Sequence, residues 1–553
     1  MIKNRLYLKI IYYLTPIFFA LSFLIIHFPT TPINPLQTDK VFMTNNNDYI
    51  QAFLGWYYFK NDSWHWPLGL IKNYSYLMDT SITYTDSIPL IAVLLKILNP
   101  LLPEFFNYLG VILILNYILQ AIFAILLLRQ LSCHKIISVL GSLFFIFSPI
   151  LFQRASVTMH IALSSHWIIL AAMYLYFKKH SFAFFKWSLL ILISIGTHFY
   201  LSAMIGFIFI SDCLKHLFVK KDLNKYLLCL YLLCISIFSL LLMYSLGYFS
   251  TKNPAAGGLG RFSMNLVAPF MPLNIPYIKG INEHFFFLGL ETISNFKFPA
   301  VTTARVGQFE GFNYLGLGIL SLLSIALIKS PKYLSSINKK IKNHWPLLLS
   351  VFFLIIASLS PLLSIGTYST QLNYPNWLIH YWSILRASGR LFWPVHYMCI
   401  LIAIVSISRI YKSKTAIFMI CFCLCIQYWD FENFYKTGRN KPKVNILQQS
   451  NQWHTLLNQY EHIFHIISKQ NYASLNAISY KHLKKQNLIQ TARYDFDKFM
   501  KKANKEKKLF FNNNAQKNTL YIIEDKSPVL QKAKTLNYEI TYLKPFYIFQ
   551  NKQ

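Results

Sequence analysis

Apolar runs of about 18 or more residues recur along the first four-fifths of this chain, each long enough to cross a hydrocarbon layer about 30 Å thick. Backbone in lipid must satisfy its own hydrogen bonds, so such runs can only be helices or closed barrels. Barrel strands are short and alternating, and these runs are continuous. The fold class expected is therefore an α-helical polytopic membrane protein with about eleven transmembrane helices. Composition agrees: 55% of residues are hydrophobic and 13% charged, too apolar a balance for a soluble chain.

The connectors orient the runs, because cytoplasmic loops are enriched in Lys and Arg. Lys3, Arg5 and Lys9 precede an apolar run from Ile10 to Phe28, too long for a signal-peptide core and followed by no small-residue cleavage site. It reads as a retained first span with a cytoplasmic N-terminus. Further spans are expected near 106–128, 136–152, 162–177, 184–199, 200–215, 226–248, 312–328, 346–364, 391–408 and 415–429. This threading puts every basic connector inside, including KHLFVKKDLNK (215–225) and KSPKYLSSINKKIKNH (329–344). The apolar stretch Ser87–Leu98 is too short to span and reads as a juxtamembrane or re-entrant helix. The expected organisation is a transmembrane domain at 1–430 and a small soluble α/β domain at 431–553. The first contains an outer loop at 30–105 and a second large one at 249–311. TLYIIED (519–525), EITYL (539–543) and FYIFQ (546–550) have strand character, a short helix is expected near 528–536, and polar helices near 445–510. By this count the tail lies outside, on the periplasmic face of a bacterial inner membrane.

The formal net charge of +33 raises nucleic acid as a partner. No basic and aromatic binding module is present, and the positive residues fall in connectors and tail, so a lipid bilayer is the partner expected and nucleic acid is not. The eight cysteines lie in or beside spans and imply neither a disulfide framework nor a zinc site. GGLGR (257–261) lacks the Lys-Ser/Thr and helix of a phosphate loop and reads as a turn. No nucleophile elbow or H-E-x-x-H pattern is present.

Chemistry concentrates in the polar loop Thr38–Pro89, with Trp56, Trp64 and Trp66 suited to a membrane-interface belt. Asp48, Gln51 and Gly55 share one face of a short expected helix. Asp48 is a candidate general base or metal ligand, with helix N-capping as the structural alternative. Asp86, in TDSIPL, stands where an N-cap would precede Pro89, and is the second carboxylate candidate. The threading gathers other polar groups outside: Arg154, His160, His166, His198, Tyr200, Glu310, Arg386 and Arg390. Polar side chains at membrane depth are costly, so a one-sided set suggests a shared cavity. Arg154, Arg386 and Arg390 suit a phosphate or diphosphate clamp, against the alternative of snorkelling to headgroups. Arg386 and Arg390, four apart, would share a helix face. The three histidines and Tyr200 are candidates for substrate hydrogen bonding.

The pieces DYIQAFLGWYYFKNDSWHWPLG, SITYTDSIPL, SPILFQRASVTMH, HWIILAAMYLY, THFYLSAM, RASGRLFWPVHY and NLIQTARYD (487–495) resemble a bacterial family of polytopic membrane proteins known only as a domain of unknown function. The layout is similar to the GT-C superfamily of glycosyltransferases. That resemblance implies a sugar donor carried on a polyprenyl phosphate or diphosphate, and a glycan, lipid or protein acceptor of the cell envelope. It places the catalytic acid on Asp48 and donor contacts on the outer arginines. Many members carry an adjacent acidic pair; here the neighbours are Asn47 and Tyr49. A divalent metal, Mg or Mn, would then need Asp86 or Glu310 as its second carboxylate. The function expected is a periplasmic-face membrane glycosyltransferase. A carrier or flippase of lipid-linked glycan, or a non-catalytic assembly factor docking through the tail, are the alternatives.

Overall fold

The computed structural model describes residues 2–29, 33–44, 47–179, 181–251, 257–272, 303–329, 334–439, 451–466 and 472–551. Most of the second large loop lies outside the described residues. The chain divides into two compact units.

The first unit comprises Met1–Ile33, Val111–Leu240 and Ala255–Asn440, and it is mainly helical. Each expected span overlaps a helix, though the one at 346–364 runs past the helix end at Leu359 into the strand Leu362–Ile365. Among the described residues, six helices are long and apolar enough to cross a membrane: Leu109–Gln130, Lys135–Val157, Phe199–Lys220, Lys225–Ser245, Lys342–Leu359 and Ser388–Ile410. Tyr12–His27, Trp167–Phe177, Phe184–Thr197 and Leu317–Lys329 are apolar but shorter. Small residues set the closest packing. Gly318 lies so near the Cys423 carbonyl that no side chain would fit, which draws helix Leu317–Lys329 against helix Ser413–Asp430. Gln427 then donates to the Leu315 carbonyl (2.8 Å) and accepts from the Ile319 amide (3.1 Å), so its buried amide is satisfied.

Two helices of this unit change to π geometry at one end, at Gln153–Val157 and Lys215–Lys220. Such bulges cost hydrogen-bond quality and recur at functional sites. His344, just before Pro346, is non-helical and kinks the helix Leu334–Leu359. An antiparallel hairpin pairs Leu362–Ile365 with Tyr368–Gln371.

The second unit comprises Asn34–Gly110, Leu241–Pro254 and Lys441–Gln553. The first polar loop and the C-terminal tail therefore belong to one body. Tyr480 shows how: its ring is buried against Phe42, Phe53 and Tyr57, and its hydroxyl donates to Asp39 (2.6 Å). Backbone contacts add to this, with Ala492 N–H donating to the Tyr84 carbonyl (2.7 Å) and Tyr58 O–H to the Lys484 carbonyl (2.9 Å).

The tail holds a mixed five-stranded sheet. In chain order the strands are β1 (His462–His465), β2 (Lys485–Gln486), β3 (Thr519–Glu524), β4 (Glu539–Leu543) and β5 (Phe546–Gln550), and the spatial order is β2-β1-β3-β5-β4. β1 is parallel to β2 and β3, and β5 is antiparallel to β3 and β4. One face buries Phe464, Tyr521, Ile523 and Phe549 under helix Phe496–Phe511; the other buries Ile463, Leu520, Ile522 and Ile548 with Trp453 and Leu475. The last three strands fall where expected. β1 and β2 interrupt the stretch expected to be helical. HIFH is short and gains its strand character from pairing with β3, which sequence separation hides.

Candidate functional site

In the second unit, helix Asn47–Asn61 begins one residue before Asp48. Asp48 is thus in the first helical turn, where the helix dipole favours a carboxylate, and it is half-buried. Of the expected Asp48–Gln51–Gly55 face, Gln51 and Gly55 lie against the TDS segment. Gly55 packs so tightly on Thr85 and Ser87 that a Cβ would fall well inside van der Waals contact with the Thr85 side chain. Ser87 O–H donates to the Ala52 carbonyl (2.7 Å) and locks that approach. One turn away, Gln51 Nε2 donates to Asp86 Oδ2 (2.9 Å).

The N-cap expected of Asp86 is not what the chain uses. The cap of helix Pro89–Ile97 is Ile88, with no side-chain cap bond, and both Asp86 (φ 59°) and Ile88 (φ 51°) are left-handed. A β-branched residue in that region is strained, and such strain is held where surrounding packing demands a particular side-chain direction. Here it carries the Asp86 carboxylate to Gln51. Asp86 and Gln51 thereby form one hydrogen-bonded polar pair, with Asp48 one turn earlier on the same helix as Gln51.

In the first unit, the expected arginines divide. The Gln153–Val157 π turn carries Arg154, which is 1% exposed. Snorkelling to headgroups is therefore not its position. Arg154 Nη2 donates to Glu310 Oε2 at 2.6 Å, and Arg390 reaches the same carboxylate with two bonds of 2.9 Å. Glycines permit the convergence. A Cβ on Gly389 would come within 2.5 Å of Gly311 Cα, so the turns Val306–Gly311 and Ser388–Phe392 meet backbone to backbone. Asn313 Nδ2 bridges them by donating to the Gly311 (3.1 Å) and Gly389 (3.0 Å) carbonyls. Burial works to raise the Glu310 carboxyl, but the Arg154 and Arg390 guanidiniums overcome it and hold the group well below the usual carboxylate range.

Arg386 does not join them. The chain from 383 to 392 is two short 3₁₀ turns broken at Ala387, so the four-residue spacing no longer gives one face. Arg386 lies over the Phe262 ring instead (5.9 Å). Arg390 covers the Tyr200 ring (4.9 Å), and Tyr200 O–H accepts from the Ala387 amide (2.7 Å). The His198 ring is 5.6 Å from Tyr200 and 5.4 Å from His160, the two imidazoles meeting edge to face. The His160 amide donates to the Arg154 carbonyl (2.8 Å), so the π turn positions both. His166 lies apart in the helix packing, 2.7 Å from Tyr397 O–H and against Trp393 (4.3 Å).

Sequence reasoning missed Trp393, which packs on Arg154 (5.4 Å), Asn313, and Gln153, which donates to the Phe309 carbonyl (3.0 Å). Trp393 was legible as the residue beside RASGRLF; the other two carry no distinguishing local pattern.

A family model described as a domain of unknown function, DUF6311, matches residues 17–432. The chain belongs to the DUF6311 family. Asp48, Asp86, Arg154, Glu310 and Arg390 all fall inside the DUF6311 match, whereas NLIQTARYD (487–495) and the tail sheet lie beyond it. No curated protein and no solved structure matches the chain significantly.

Proposed function

We propose that this DUF6311 protein is a membrane glycosyltransferase of GT-C type, using a sugar donor carried on a polyprenyl phosphate. The observation that supports it most is the meeting of Arg154 and Arg390 at Glu310, from positions 156 and 80 residues away in sequence. Two guanidiniums brought together at one carboxylate make a buried, arginine-rich cluster, and planar guanidinium forks are the groups that best match phosphate oxygens. A phosphate ester would be recognised there through bidentate guanidinium contacts. His160, His198 and Tyr200 would supply hydrogen bonds to the sugar or its leaving oxygen.

Asp48 or Asp86 would act as the base. The acceptor hydroxyl attacks the anomeric carbon, the bond from that carbon to the phosphate oxygen breaks, and the hydroxyl proton passes to the carboxylate. The polyprenyl phosphate leaves as the anion. Gln51 fixes the direction of Asp86 for this role. If a divalent ion takes part, Asp48 and Asp86 are its carboxylate ligands.

That the first polar loop and the tail belong to one folded body supports their lying on the same side of the bilayer. With the N-terminus cytoplasmic, that side is the periplasm. The acceptor is then an envelope glycan, lipid or protein.

The test is a deletion strain complemented at matched membrane levels with wild type, Asp48→Asn, Asp86→Asn or Arg390→Met. Lipid-linked sugars and surface glycan are then profiled. Loss of one carboxylate should abolish transfer while the donor accumulates. If both asparagine variants restore the wild-type profile, neither carboxylate is a base and the proposal fails.

A further inference from the structure

The first unit contains a cavity of about 290 Å³ bordered by Lys178, Lys179, Lys215, Lys220, His344 and Arg409, none of them a residue of the site described above. No carboxylate occurs among the described lining residues. The volume is at the lower end for small-molecule sites, which begin at about 300 Å³.

The local structure builds this cavity. The Lys215–Lys220 π turn widens the helix end and places both its terminal lysines in the lining. Lys215 is buried, with its ammonium 2.7 Å from Asp212 Oδ1, donating also to the Tyr176 carbonyl and lying 3.9 Å over the Tyr176 ring. Those contacts account for two of its three N–H donors. Tyr176 O–H is in turn 3.0 Å from His344 Nδ1, at the kink of its helix. Arg409 is anchored to the Leu131 carbonyl (3.4 Å) at the rim. Like charges drawn together around a concavity are what a bound anion stabilises.

Basic connectors are ordinary on one side of a membrane protein. A basic connector, however, exposes its lysines singly to water. Here five connecting segments contribute to one recess, and the Lys215 ammonium is buried in it. We propose that this cavity binds a phosphate-bearing anion, supplied either as an anionic lipid headgroup or as a free phosphate compound. The inference stands independently of the glycosyltransferase reading.

The test uses the full-length protein. Wild type is reconstituted in nanodiscs of phosphatidylcholine alone, or of phosphatidylcholine with a minor fraction of phosphatidylglycerol, and retained lipid is counted by native mass spectrometry. In parallel, thermal unfolding in neutral detergent is followed with increasing inorganic phosphate. The cavity variant is Lys178→Gln/Lys179→Gln/Arg409→Gln, at positions exposed enough to tolerate the change. The control is Lys225→Gln/Lys412→Gln/Lys414→Gln, which removes the same charge from connectors outside the cavity. At about 1 kcal/mol for each basic residue near an anionic headgroup, the cavity variant should bind on the order of a hundredfold more weakly. The control should bind like wild type.

Selective retention of phosphatidylglycerol, lost only in the cavity variant, supports the site with lipid as its source. Protection by inorganic phosphate without lipid preference, again lost only in the cavity variant, supports it with a soluble source. Equal loss in both variants, no loss in the cavity variant, or no binding of either probe to wild type overturns the proposal.

Discussion

Replacing Glu310 with glutamine removes the carboxylate on which Arg154 and Arg390 converge and leaves the geometry nearly unchanged. Arg154 is 1% exposed, so water cannot take over as its partner. Stripping one partner from a buried ion pair costs about 3–5 kcal/mol, because the remaining charge is left uncompensated. Glutamine keeps one carbonyl acceptor for the guanidiniums, so the lower figure, about 3 kcal/mol, is expected. The assay is the unfolding equilibrium of purified protein in one mild detergent, for wild type, Glu310→Gln, Arg154→Met and the double variant. The double variant removes the buried Arg154 charge together with its partner and leaves only the more exposed Arg390 without the carboxylate. It should therefore lose less than the sum of the singles, with a coupling of about 2–3 kcal/mol. Added phosphate should stabilise Glu310→Gln more than wild type, since it replaces the lost negative charge. The pH dependence follows from the lowered carboxyl. Its contribution is complete above the unfolded-state value of about 4.3 and is lost only as pH falls further, toward the depressed folded value. The gap between wild type and variant should be flat from mildly acid to neutral pH. A destabilisation below about 0.5 kcal/mol, typical of a solvent-screened surface pair, would refute the reasoning.

Gly55→Ala places a methyl group inside contact distance of Thr85 and should destabilise the second unit by about 1–3 kcal/mol, read as faster proteolysis of the first loop. Tyr480→Ala empties the aromatic cluster joining loop and tail and should cost about 3–5 kcal/mol, seen as loss of protection in both segments by hydrogen exchange. Lys96 lies 4.2 Å over Phe59 and 4.6 Å over Trp64, and burial pushes its ammonium down to about 8 despite the attraction of Asp62. The folded protein releases this proton before the unfolded chain does, so stability should rise from pH 8 toward the unfolded lysine value of about 10.4. Lys96→Met should flatten that rise in a pH series of melting temperatures.

Asp86 shows where local reading stops. Its sequence context, TDSIP, suits a helix cap, and nothing near it announces Gln51, 35 residues earlier. The left-handed backbone at 86 and 88 is fixed by packing around Gly55, which only the folded chain supplies. The same holds for Arg386 and Arg390. Spacing of four implied one face, but the segment folds as two 3₁₀ turns and sends them to different partners.

What the sequence determined alone was the membrane class, the position of each apolar helix, the strands β3 to β5, and the residue types able to bind phosphate or move a proton. Those features depend on length, periodicity and chemical identity, which are local. Tertiary structure decided that Glu310 is the arginines' counter-ion, that loop and tail form one body, that HIFH is a strand, and that scattered lysines border one cavity. Each of these depends on contacts between segments distant in the chain, whose free energy comes from burial and pairing that no single stretch contains.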